Sequence, residues 1–538
     1  MKRQRTAVEL AHLAALATAS DFACDRWPNE LCMVVALLSR AHRDGVRAAK
    51  GRHGPAHKTS ITDVVQSVRL LEDAHRVAPS LGLPWPPPGL DVCTAAACAG
   101  HVDVLVRAEA LGCHVDVKPA WYGALDNGRV PIMAWLREHR REAWGIPNER
   151  TPSVLFWDWS GPMYSGVVCD PNGGPCARAA RAGQLQALMW LRSPGGSNCP
   201  WDKRACLGAA ENGHLHVLMW LRGQEDPCPW DAELCAIAAK NGHQDVLKWA
   251  RMDAAPRCDW DERTTAAAAA SGRLSILKWL REAETPCPWD ETTCAEAALN
   301  GHLHVLKYAR NEADPRCNWN ANTACAAAEN AHLDILRWIR EEAHPPCEWN
   351  ARTCAHAASN GHLAVLRWLR EEAHPRCPWA ESTCSQAAYG GHLDVLIWAR
   401  TEANPICPWS KVACDCAAIT GQTALLQWMR TEANPPCPWE ETTCAYAAVN
   451  GHLALLQWMR TEANPPCPWD NTTLYNSLFN GRMTVFKWAR LEANPPCPMD
   501  AITRYFLHGI WGSGPQWGTL DYGPARRPDD TYYTNSLM

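Results

Sequence analysis

One phrase recurs along most of this chain, and its spacing limits the fold more than any other feature. A copy reads Pro346-Cys347-Glu348-Trp349-Asn350, then Thr353-Cys354-Ala355-His356-Ala357-Ala358-Ser359-Asn360-Gly361-His362-Leu363, then Val365-Leu366-Arg367-Trp368-Leu369-Arg370-Glu371-Glu372-Ala373. Its loop tryptophan returns every 30 residues at Trp379, Trp409, Trp439 and Trp469, and at 29 or 30 going back through Trp319, Trp289, Trp260, Trp230 and Trp201. A fixed short period marks an array in which each unit buries its face on its neighbours. Such an array also explains a chain of 538 residues, too long for one ordinary core. The 29 Trp and 27 Cys, set against 5 Phe, follow from copying one motif many times.

Each unit reads as two helices. Helix A starts after the loop tryptophan, with Asp202, Asp231, Asp290, Asn350 or Asp470 at the N-cap, and carries small residues such as Cys354, Ala355, Ala357 and Ala358. It ends at Asn360-Gly361, where glycine supplies the left-handed turn. Helix B presents Leu363, Val365, Leu366, Trp368 and Leu369, apolar on more than one side as in a helix sandwiched between repeats, and His374-Pro375 stops it. The recurrent glycine counts thirteen units: Gly100, Gly128, Gly183, Gly213, Gly242, Gly272, Gly301, Ala331 in place of glycine, Gly361, Gly391, Gly421, Gly451 and Gly481.

The string Thr-Cys-Ala-x-Ala-Ala-x-Asn-Gly-His-Leu-x-Val-Leu-x-Trp-Leu resembles the core of the ankyrin repeat. The match holds at Ala357, Ala358, Gly361, His362, Leu363, Val365, Leu366 and Leu369. It departs at the Thr-Pro-Leu-His opening, and the period is shorter than the ankyrin repeat's ~33 residues. The resemblance implies an all-α, curved solenoid of helix-turn-helix units, with a tight Asn-Pro-Pro-Cys-Pro-Trp loop in place of the β-hairpin finger. The expected organisation is an N-terminal helical segment over 1–45, a linker or degenerate helical region over 46–89 and degenerate repeats over 90–143. An insert or ruined repeat over 144–176, the main array with a C-terminal cap over 177–510 and a disordered tail over 511–538 complete it. Trp27-Pro28-Asn29-Glu30-Leu31, followed by Val35 and Leu38, resembles the opening of an F-box. That resemblance implies an adaptor-binding role for Pro28, Glu30, Leu31, Val35 and Leu38, with a ubiquitin-ligase adaptor as partner.

Most repeated polar residues read as scaffold. Cysteines replaced elsewhere by Thr265, Ala324 and Leu474 behave as small buried groups rather than zinc ligands. The histidines (His214, His243, His302, His362, His392, His452) alternate with Arg273, Gln422 and Arg482, so they are expected to donate hydrogen bonds at turns. The tryptophans of helix B, from Trp338 to Trp458, are expected in the core. The arginines Arg340, Arg370, Arg400, Arg430 and Arg460, each followed by Glu two residues on, are expected on a solvated face that braces the loops. No phosphate loop, nucleophile elbow or metal motif is present, so neither catalysis nor a cofactor is expected.

Function is expected where repeats differ. One variable row reads Gly208, Ile237, Ala267, Glu296, Ala326, His356, Gln386, Cys416, Tyr446 and Asn476; three residues on, another ends in Tyr389, Ile419, Val449 and Phe479. Spacing of three places both rows on one helix face. The expectation is a protein-interaction scaffold, with partner-binding residues His356, Gln386, Tyr389, Ile419, Tyr446, Val449 and Phe479. Net charge of −5 argues against a nucleic-acid partner, and no apolar run suits a membrane. The start of the chain makes a poor signal peptide, so an intracellular, cytoplasmic location is expected, or the host cytoplasm for a viral source.

Overall fold

A computed structural model describes residues 67–80, 85, 91–139, 174–194 and 198–511. Among these residues every regular element is helical and there is no strand. They divide into two units, one reaching Leu234 and including Asp245–Cys258, the other made of Cys235–Gln244 and the chain from Asp259 onward. Each unit is a helical repeat solenoid in which A helices stack on the A helices of adjacent repeats.

The repeat that turns at Gly361 shows how the sequence builds each hairpin. Helix A spans Ala351–Ser359, and the Asn350 side chain accepts a hydrogen bond from the Arg352 amide at 2.9 Å. Asp202, Asp261, Asp290, Asn320 and Asp470 cap their helices in the same way, answering an amide that the first helical turn leaves unpaired. Gly361 then takes φ +72°, as do its counterparts in sign, and Ala331 accepts φ +60°. The thirteen turns read from the sequence are therefore all left-handed.

Glycine is required at this turn for a second reason. A Cβ on Gly361 would lie 2.5 Å from Nδ1 of His392, the residue that precedes helix B of the next repeat. The His392 ring covers Gly361 so that its Nε2 donates to the Ser359 carbonyl at 3.1 Å, 33 residues back. His214, His302, His332, His362 and His452 make the same bond to the preceding repeat, and Arg482 makes it through Nε. The expected donor role is thus a link between repeats, and in these copies the carbonyl at the end of helix A is satisfied from the following repeat.

Helix B is α-helical over Leu363–Arg367 and then widens into a π turn over Trp368–Glu372. The Ala373 amide closes this turn on the Trp368 carbonyl at 2.9 Å. A cis peptide joins His374 to Pro375. The loop tryptophan folds back on the helix B tryptophan of its own repeat: Trp349 meets Trp368 edge-on, 6.0 Å between ring centres. Trp338, Trp368, Trp398, Trp428 and Trp458 are buried, as expected.

The arginine row is only partly as expected. Arg340 Nη1 donates to the Cys347 carbonyl at 3.1 Å and its guanidinium lies 4.6 Å from the centre of the Trp349 ring. Arg370 and Arg400 repeat this on Cys377–Trp379 and Cys407–Trp409. The side chains do brace the loops, but Arg310, Arg370 and Arg400 are buried rather than solvated. Stacking on indole is what allows it, since a weakly hydrated planar cation tolerates an aromatic wall. The glutamates pair elsewhere: Glu402 meets Arg367 of the preceding repeat at 2.9 Å, not Arg400.

Candidate functional site

Helix A is inert on its inner faces and varied on its outer one. Thr353, Cys354, Ala355, Ala357 and Ala358 are buried, which leaves His356 and Ser359 partly open. The same geometry places Gln386 and Tyr389 in the open on the next helix A, Glu381–Gly390. Ile419 and Val449 are half-buried, and Tyr446 is exposed.

Tyr389, Tyr446 and Phe479 expose 50%, 41% and 70% of their surface. These are large apolar groups left in water, whereas the helix B tryptophans from Trp338 to Trp488 are buried. Phe479 does not stand alone. Its ring stacks on Tyr475 with centres 5.9 Å apart, and Tyr475 meets Phe506 edge-on at 5.9 Å. Phe506 belongs to the last helix, Ala501–Trp511, where Ile502 and Tyr505 are exposed beside it. The aromatic surface therefore extends one helix past the positions named from the sequence. Phe506 lies 30 residues after Asn476, and Met499-Asp500-Ala501-Ile502-Thr503 keeps the loop-cap-Thr spacing of earlier copies, so aligning this helix as one more helix A would have found it.

Charge is sparse here. Lys411 forms an ion pair with Glu440, and Asp415 is buried and accepts hydrogen bonds from the Thr442 and Thr443 hydroxyls. Side-chain amides are common: Asn450 and Asn480 donate to the Tyr446 and Asn476 carbonyls, at 3.1 and 2.9 Å. His356 differs from the rest of its row. Its Nδ1 lies 3.1 Å from Glu329 Oε2, so it is engaged within the face. In the first unit the corresponding positions hold Gly208 and Glu211, with Glu211 paired to Arg181 at 3.0 Å. Pro28, Glu30, Leu31, Val35 and Leu38 lie outside the described residues.

The cysteines are packing groups with a pairing that the sequence spacing hides. Cys347 and Cys354, seven apart, are not partners. The Cys347 thiol donates to the Asn320 carbonyl of the preceding repeat at 3.2 Å, and the Cys377 thiol donates to the Asn350 carbonyl in the same way at 3.4 Å. Burial pushes the Cys347 thiol up to about 12. Cys354 is raised further, first by its hydrogen bond with Cys377 and then by burial. Such thiols stay protonated and unreactive near neutrality.

No protein-family model matches the sequence, and no curated protein matches it. Among solved structures, the chain is similar to the pentatricopeptide repeat protein PPR10 from maize, seen in a crystal structure. The identity is 15% over 94% of this chain and 80% of that one, with a TM-score of 0.27. The exclusion of nucleic acid is corrected: a net charge of −5 over the whole chain does not decide what one face of it binds. No helix among the described residues is long and apolar enough to cross a membrane.

Proposed function

We propose that this chain is a binding scaffold, a divergent ankyrin-like array that holds a partner protein on the variable face of its A helices. The observation that carries this reading is the exposure of Tyr389, Tyr446 and Phe479 in repeats whose helix B tryptophans, Trp398, Trp428, Trp458 and Trp488, are buried. Aromatic residues left exposed on one face are the usual carriers of binding energy where a partner docks. The main contact falls on the repeats from about Gly391 to Gly481, with Gln386 and His356 at its margin. Repetition favours binding over catalysis, since a catalytic group is needed once.

The test is capture by the full chain from a lysate of the source cells, with and without ribonuclease. A specific protein retained after nuclease treatment supports the reading. RNA retained directly, with no protein surviving nuclease, would replace it with a base-reading surface. A second reading rests on Trp27-Pro28-Asn29-Glu30-Leu31: the chain is an F-box-type receptor that brings its captured target to a ubiquitin ligase. Co-precipitation of the ligase adaptor with the full chain, lost on Pro28→Ala with Leu31→Ala, tests that reading separately.

A further inference from the structure

One position of helix A faces the following repeat. In the repeat that turns at Gly361 it is Ala355, and its counterparts Cys325, Ser385, Asp415 and Ala445 are buried with it. Two contacts fix the direction. Cys325 Sγ lies 3.5 Å from the Thr353 hydroxyl, and Asp415 accepts from the Thr443 hydroxyl at 2.6 Å, each on the next helix A. Tyr475 holds the same position, and its ring meets Phe506 on the helix that follows.

The last helix, Ala501–Trp511, puts Tyr505 at this position, and among the described residues no helix comes after it. Where Ala355 and Asp415 are covered, Tyr505 exposes 76% of its surface, with Ile502 and Phe506 exposed beside it. The Tyr505 and Phe506 rings meet edge-on with centres 6.1 Å apart. The array therefore ends on a helix whose stacking face is bare and aromatic. A terminal repeat ordinarily turns a polar face outward, because the face that stacks inside an array is left in water at its end. Residues 512–538 hold no further copy of the repeated phrase, and Gly512-Ser513-Gly514-Pro515 stands where helix B would begin.

We propose that this end face pairs with the same face of a second copy of the chain, joining two arrays end to end about a two-fold axis. In the repeats before it, what covers the equivalent face is another helix A, and a second copy supplies one of identical sequence. Ile502, Tyr505 and Phe506 carry no charge, so the face meets itself without like-charge repulsion, as a contact between identical patches requires. Buried rings are also the usual anchors of such contacts. One helix from each copy makes a small interface, so the pairing is weak and depends on concentration. It involves neither Tyr389 nor Tyr446, and it stands or falls separately from the partner-binding reading.

The experiment is sedimentation velocity of the reduced, full-length chain from nanomolar to high-micromolar concentration, beside the variants Tyr505→Asp, Ile502→Thr and Leu491→Glu. Each new residue is native at the equivalent position of another repeat, at Asp415, Thr472 and Glu371, and far-ultraviolet circular dichroism checks that each variant is folded. The parent is expected to pass from monomer to dimer as concentration rises. Tyr505→Asp should weaken the dimer by about tenfold or more, and Ile502→Thr should weaken it in the same direction. Leu491→Glu, at an exposed side chain on helix B of the preceding repeat, should leave it unchanged. If Tyr505→Asp fails to fold, Ile502→Thr against Leu491→Glu decides. A parent that is monomeric throughout overturns the proposal and leaves the face to residues 512–538 or to a different protein. So does a dimer that folded Tyr505→Asp or Ile502→Thr does not weaken, an equal loss in Leu491→Glu, or growth beyond the dimer, since a face that pairs with itself is used once.

Discussion

His392 bonds through Nε2 to the carbonyl oxygen of Ser359, 3.1 Å away and 33 residues earlier, while its ring closes over Gly361. One side chain thus fixes both the left-handed turn of one repeat and the end of the helix before it. His392→Ala should therefore cost about 1–2 kcal/mol, the price of leaving a buried carbonyl unanswered. His392→Gln should cost clearly less, because Gln422 fills the same position against Gly391 in the native chain. Chemical denaturation of the two variants compares them. Equal losses would mean that the ring's packing matters and the hydrogen bond does not.

Arg370 makes a different demand. It is buried, stacked on Trp379 and bonded to the Cys377 carbonyl. Arg370→Ala is expected to destabilise the array by about 2 kcal/mol, and Arg370→Lys by nearly as much, since an ammonium cannot lie flat on indole while reaching the carbonyl. A lysine variant as stable as the parent would show that charge alone suffices.

The raised thiols predict alkaline weakness. Burial holds the folded Cys347 thiol at about 12, above its ordinary value near 9. Above the ordinary value the unfolded chain loses the proton while the folded chain keeps it, so stability falls as pH rises and stops falling beyond the folded value. Each such thiol contributes a slope of at most about 1.4 kcal/mol per pH unit between roughly pH 9 and 12. Denaturation midpoints at pH 7.5 and 10.5 measure this. Cys347→Ala should flatten the dependence, and an unchanged slope would assign it to other groups.

The array was legible in the sequence because every part of the scaffold is written many times. Gly361, His362 and Trp368 recur at fixed spacing, and a turn, a donor and a core position can each be inferred from what replaces them. Relationships between repeats were not legible. The Cys347 thiol reaches the Asn320 carbonyl 27 residues back, and a bond that crosses repeats has the same spacing in every copy and leaves no separate mark. Arg370 looked solvated because its charge suggested water and nothing in the spacing showed that Trp379 folds beneath it. Tyr475 and Phe506 lie outside the two variable rows for a simpler reason: a terminal cap and one more helix A look alike in sequence, and Ala501–Trp511 keeps the register of helix A.

On the proposed function, the exposed aromatics of the late repeats grip the partner. The direct test is the affinity of the triple variant Tyr389→Ala, Tyr446→Ala, Phe479→Ala for a protein captured by the parent chain, measured with helicity and thermal unfolding on the same samples. Truncating rings that face water should leave the fold intact and weaken binding by about 2 kcal/mol or more, roughly thirtyfold. A variant that stays folded and binds as tightly as the parent, or one that loses cooperative unfolding, would contradict the assignment of this face.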